Sequence, residues 1–172
     1  MPAIHVCPLS RLSETMEASS ASHLISLTSG SATMATPDAI AADHHLSICM
    51  SDIVAPLEGH VLPDVEHVDA LLGFIRDWPR EHPLVIHCYA GISRSTAAAL
   101  VAVCALNRNQ DAVEAAKALR LASPSATPNI RFIEVADARL GYEGRLVAAT
   151  HAIGRGCDAF EGEPFVLPLH DA

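Results

Sequence analysis

Aromatic residues are scarce in this 172-residue chain, at 4%, although half of its residues are hydrophobic, mostly Ala, Leu and Val. Long apolar runs are missing too: the longest, Ala97 to Leu106, falls far short of a bilayer's thickness. Residues Met1-Pro2-Ala3-Ile4-His5-Val6 lack a basic stretch leading into an apolar core. No secretory signal is therefore expected, and a cytoplasmic location is the default. The five cysteines, Cys7, Cys49, Cys88, Cys104 and Cys157, form no Cys-x-x-Cys pair and no metal-ligand spacing. An odd number without a leader predicts reduced thiols. Cys7, Cys49 and Cys104 lie in apolar runs and are expected to be small core residues. The net charge of −9 argues against nucleic acid and an anionic membrane as partners. His44-His45 has no third ligand at a suitable spacing and reads as a polar strand edge, so neither metal nor cofactor is expected.

Strand and helix patterns alternate along the chain. Short strands are expected at 3–8, 23–28 and 45–50, with a helix or turn over 10–19. Thr36-Pro37-Asp38 has the form of a helix start, with a cap, a proline at the first position and an acid in the first turn. Residues 51–62, with Pro56 and Gly59, read as a loop. From Asp64 to Trp78 the apolar Val65, Val68, Leu71, Leu72 and Ile75 recur at helical spacing until Pro79 stops them. Leu84 to Cys88 is a short, uniformly apolar strand of the kind found inside a parallel sheet. Helices over 95–106, 111–121 and 129–140 follow. The pattern predicts one α/β domain over 1–172, a mostly parallel sheet of four or five strands between helical layers. The segment 154–172 is mixed and glycine-rich, and fits no element.

The chemistry concentrates at His87-Cys88-Tyr89-Ala90-Gly91-Ile92-Ser93-Arg94-Ser95. A cysteine ending a buried strand, five loop residues, then an arginine opening a helix make a cradle for a phosphate dianion. The amides of Tyr89, Ala90, Gly91, Ile92, Ser93 and Arg94 and the helix N-terminus converge where they favour negative charge. Arg94 adds a planar fork for two phosphate oxygens. An arginine at a helix N-terminus is otherwise badly placed, because the dipole there disfavours cations. Cys88 sits at the bottom, where the thiolate is expected to be favoured, and reads as a nucleophile. Gly91 is expected to supply a backbone conformation that turns an amide inward. Ser95 either donates to the departing thiolate or merely caps the helix.

A proton donor is needed for the leaving oxygen. Strand C-termini share one edge of a parallel sheet, and Asp52 follows the third strand as Cys88 follows the fourth. Asp52 is therefore the expected general acid and later base, the alternative being a solvated loop aspartate. Glu58 is the second candidate on that loop. Asp64 is better explained as the start of a helix, and Asp43 precedes its strand and belongs at the opposite edge.

His-Cys-x-x-Gly-x-x-Arg-Ser resembles the signature of the cysteine-dependent protein tyrosine phosphatases, closest to small bacterial members with a compact dual-specificity core. The resemblance runs over 46–140 and includes the Asp52 segment and Ser123-Pro124-Ser125-Ala126-Thr127-Pro128-Asn129. It implies phosphomonoester hydrolysis without a metal through a cysteinyl-phosphate, with His87 ordering the loop. Substrates would be phosphorylated proteins or small phosphomonoesters. The family's water-positioning glutamine loop is missing, since Gln110 falls between two helices. So are an insertion bearing a tyrosine-recognition aromatic and the loop lysines of lipid phosphatases. Two other readings stay open: a phosphatase-like module that captures phosphorylated partners, and a redox or sulfur-transfer enzyme using Cys88.

Overall fold

Five strands build one sheet in the order β3-β2-β4-β1-β5. They are β1 (Ala3–Pro8), β2 (His23–Thr28), β3 (His45–Cys49), β4 (Leu84–Cys88) and β5 (Phe165–Pro168). The computed structural model describes residues 2–30, 33–107 and 110–169. The first four strands are parallel to their neighbours, and β5 runs antiparallel along β1. Every residue of β4 is buried, as its unbroken apolar run predicts for a central strand.

Alternation along the strands divides the core in two. Val85 joins Leu24, Cys7 and Leu12 of helix α1 (Leu12–Ser19) in a small cluster on one face. Leu84, Ile86, Ile25 and Ile4 face the larger cluster beneath five helices. These are α2 (Val65–Asp77), α3 (Arg94–Leu106), α4 (Ala112–Ala122), α5 (Ile130–Leu140) and α6 (Arg145–Ile153). Helix α3 is buried continuously from Arg94 to Cys104. Its small Ala97, Ala98, Ala99 and Ala102 let the backbone lie close to the sheet while neighbouring helices cover the remaining faces. Among the described residues, no helix is long and apolar enough to cross a membrane.

Local signals explain the helix ends. The Asp64 carboxylate accepts from the Val65 amide at 2.8 Å, and His67 Nδ1 accepts from the Asp64 amide at 2.9 Å. At the other end the Trp78 indole donates to the His82 carbonyl at 3.0 Å, which ties the buried ring to the loop leading into β4.

Three expectations need correction. No helix starts at Thr36-Pro37-Asp38; the segment makes a turn closed by Ile40 N–H on the Pro37 carbonyl, then a single 3-10 turn at Ala42–His44. Thr36 Oγ1 is hydrogen-bonded to His45 Nδ1 at 2.8 Å, so the hydroxyl that would cap a helix serves another partner. Cys49 is exposed at the sheet edge, its thiol on the Gly30 carbonyl, instead of packing in the core. Within the glycine-rich C-terminal piece, residues 165–168 form β5, and α6 precedes it without any capping signal in the sequence.

Asp137 of α5 accounts for α6. It is 4% exposed, and its carboxylate accepts from the amides of Gly144, Leu146 and Val147 at 2.7, 2.8 and 3.1 Å. A cap supplied by another helix fixes where α6 begins. Replacing Asp137 by Ala orphans three amides and should lower the unfolding free energy by about 2–3 kcal/mol in urea titrations. A loss below about 0.5 kcal/mol would mean that water replaces the carboxylate.

Candidate active site

The 88–94 loop is held by its carbonyls. The Tyr89 carbonyl accepts from Leu9 N–H at 3.1 Å and the Ala90 carbonyl from Gly162 N–H at 2.8 Å. The Ile92 carbonyl accepts from Thr127 N–H at 2.9 Å and from Thr96 Oγ1 at 2.5 Å. The Ser93 carbonyl accepts from Asn129 N–H at 3.2 Å, Ala97 N–H at 3.0 Å and Thr96 Oγ1 at 3.0 Å. In a trans peptide the next residue's N–H points the opposite way. Carbonyls tied outward to the protein body therefore turn the amides of Ala90, Gly91, Ser93 and Arg94 toward the concave side. The Gly91 amide meets Cys88 Sγ there at 3.3 Å.

Gly91 is required twice over. Its φ is +68°, and a Cβ would stand 2.6 Å from the Pro8 nitrogen. Cys88 Sγ is also 3.1 Å from the buried Ser95 Oγ. The Tyr89 side chain is 68% exposed.

Arg94 is only 7% exposed. One nitrogen, Nη1, donates to Ser29 Oγ at 2.6 Å and to the Met50 carbonyl at 3.0 Å. Its Nε is buried with no protein acceptor among the described residues. A desolvated guanidinium nitrogen is costly without a partner, so this side chain is built for an anion.

Asp52 follows β3 at the same sheet edge. Its Oδ1 accepts from Ser93 Oγ at 2.6 Å and from Asn129 Nδ2 at 2.9 Å. Asn129 Nδ2 also donates to the Ile53 carbonyl at 3.2 Å, while Asn129 Oδ1 caps α5 through Phe132 N–H at 3.0 Å. Glu58 lies in the exposed turn that His60 N–H closes on the Leu57 carbonyl. Asp64 caps α2, and Asp43 precedes β3 at the far end of that strand.

His87 lies behind the loop. Its Nε2 is 2.7 Å from Ser26 Oγ, which is 2.9 Å from His45 Nε2. The chain of side chains thus crosses from β4 to β3 and ends on Thr36. Burial pushes His87 down to about 4. Burial likewise pushes the Cys7 and Cys104 thiols up to about 11. Among the described residues no group of three His, Cys, Asp or Glu is placed to hold a metal ion.

Sequence reasoning reached Asp52, Cys88, Arg94 and Ser95, which the fold brings to one edge. It missed Asn129 as a partner of Asp52, although an Asn before a helix signals a cap. It also missed Ser29 and the 154–163 segment. This segment borders a cleft of about 600 Å³ beside Asp52 and Ser93.

No family model and no curated sequence matches the chain. Solved structures do. DUSP15 superposes with a TM-score of 0.62 at 18% identity, over 89% of this chain and 91% of that one. The PTP-2 phosphatase of Cydia pomonella gives 0.60 at 16% identity, over 78% and 84% respectively. The Yvh1 phosphatase domain from Chaetomium thermophilum gives 0.57 at 19% identity, over 83% and 93%. The chain has the fold of the protein tyrosine and dual-specificity phosphatases.

The buried His87 has a consequence for acid stability. Below 6.5 an unfolded chain protonates this imidazole, whereas the folded chain refuses the proton until about pH 4. Stability therefore falls as pH drops through that window, by about 3 kcal/mol at most from this group. His5, His23 and His45 are lowered too and act with the same sign. Urea midpoints between pH 7 and 4.5 should fall in the native chain and fall less in His87→Gln. Parallel profiles for the two proteins would refute the assignment.

Proposed function

We propose that the chain is a metal-independent phosphomonoesterase, a protein tyrosine or dual-specificity phosphatase working through a cysteinyl-phosphate. The observation that carries this reading is the ring of outward-tied carbonyls. It turns amides toward Cys88 Sγ, beside a buried guanidinium with an unpartnered nitrogen.

In this reading the phosphate dianion sits against the amides of residues 89–94, with Arg94 Nε donating to one of its oxygens. Cys88 Sγ attacks phosphorus in line with the departing oxygen, so an S–P bond forms as the P–O bond breaks. Asp52 delivers the proton that the leaving oxygen needs. Its Oδ1 already accepts two hydrogen bonds, which leaves Oδ2 as the proton-bearing atom. A water then attacks the cysteinyl-phosphate, passing its proton back to Asp52 as the S–P bond breaks. Ser95 Oγ, in contact with the sulfur, donates to the departing thiolate and makes it a better leaving group.

Two variants test the assignment. Cys88→Ser should abolish turnover of para-nitrophenyl phosphate while still binding phosphate; turnover that survives would end the covalent route. Asp52→Asn should slow hydrolysis of phenyl phosphate by about 10²-fold, and much less for a phenol that leaves without a proton. Equal slowing of both esters would assign the proton to another residue.

A further inference from the structure

We infer that residues 154–163 are the specificity wall of the substrate cleft, built to hold a phosphorylated polypeptide with a large apolar side chain beside its phosphorylated residue. The inference rests on the phosphatase reading and names the substrate class of that same site.

The segment is anchored along its length. Arg120 donates to the carbonyls of Ile153 and Gly154 at 3.4 and 2.7 Å. Gly156 N–H donates to Thr127 Oγ1 at 3.0 Å, and Cys157 N–H to the Pro124 carbonyl at 3.0 Å. Farther on, Gly162 N–H reaches the Ala90 carbonyl of the loop, and Ser10 Oγ donates to Glu161 at 2.8 Å. Both glycines sit where no side chain fits. A Cβ at Gly156 would stand 2.4 Å from the Ser125 backbone, and one at Gly162 would stand 2.7 Å from the Gly91 carbonyl oxygen. The wall is thus fastened to the two stretches that position the cradle.

Between these anchors Phe160 is left 88% exposed. A single exposed apolar residue is ordinary on a protein surface, but this ring stands on an anchored backbone at the lining of the cleft, where it offers aromatic area to whatever enters. The cleft runs from Ile92 and Ser93 past Thr127 to Arg155 and Phe160, and its volume of about 600 Å³ is in the range of ligand sites. Among the described residues its one lining cation is Arg155, which is paired with Asp158 at 2.7 Å, and Asp52 adds a second acid. A polyphosphorylated inositol or a nucleotide would find too little positive charge there. A neutral stretch of polypeptide passing the cradle and resting an apolar side chain on Phe160 fits the charge and the open shape.

The test compares kcat/KM for phosphotyrosine peptides carrying Phe or Ser on both sides of the phosphorylated residue. Para-nitrophenyl phosphate and inositol hexakisphosphate serve as references. The native chain should favour the Phe-flanked peptide by about tenfold. Phe160→Ala should bring the two peptides within twofold of each other, through KM. The inference is overturned if the native chain shows no preference, or if the preference survives in Phe160→Ala. It is also overturned if para-nitrophenyl phosphate is cleaved while both peptides are refused, or if inositol hexakisphosphate is the better substrate. A native chain that cleaves no phosphate ester at all would overturn the phosphatase reading itself.

Discussion

Everything at this site depends on where four loop residues, Tyr89, Ala90, Ile92 and Ser93, send their carbonyl oxygens. Amides cannot be aimed one by one; each is rigidly opposed to the carbonyl before it. The chain therefore fixes the inward-facing donors by binding the outward-facing acceptors, and it recruits distant segments to do so. Leu9 comes from the end of β1, Thr127 and Asn129 from the turn into α5, and Gly162 from the approach to β5. The Tyr89 and Ala90 planes depend on Leu9 and Gly162, whereas the Ile92 and Ser93 carbonyls are held by Thr96 Oγ1 as well. The concave surface is thus a property of the whole sheet edge more than of the nonapeptide that carries the motif.

The same edge explains what could be read in advance. The loop, its buried strand and the helix after it were legible because local rules set them. A fully apolar five-residue strand is central, an alanine-rich run is a buried helix, and a cysteine and an arginine spaced around a glycine make an anion cradle. Asp52 was reachable by one step of topology, since parallel strands end at a common edge. Asn129, Ser29 and Gly162 were not reachable, because their roles are long-range hydrogen bonds with no periodicity or spacing in the chain. The expected helix at Thr36 failed for a related reason: a good local cap lost its hydroxyl to His45, a partner nine residues away. Helix α6 shows the reverse, an element without a local cap that exists because Asp137 reaches across from α5.

Arg94 joins two parts of the proposed chemistry. Its Nη1 is committed to the Met50 carbonyl, two residues before Asp52, and to Ser29 at the end of β2. Its Nε is free of protein acceptors among the described residues, on the same rigid plane. A guanidinium holds its donors at fixed angles, so the position of the Asp52 loop and the direction of the unpartnered nitrogen are set together. Lysine, with one rotatable ammonium, could satisfy either contact but could not tie one to the other. Ser93 and Asn129 close this frame from the opposite side by sharing Asp52 Oδ1. The acid is held at one oxygen and its loop at the Met50 and Ile53 carbonyls, which leaves the other carboxylate oxygen without a protein donor among the described residues. Proton delivery and anion binding would then share one set of hydrogen bonds, and a substrate that distorts one would misplace the other.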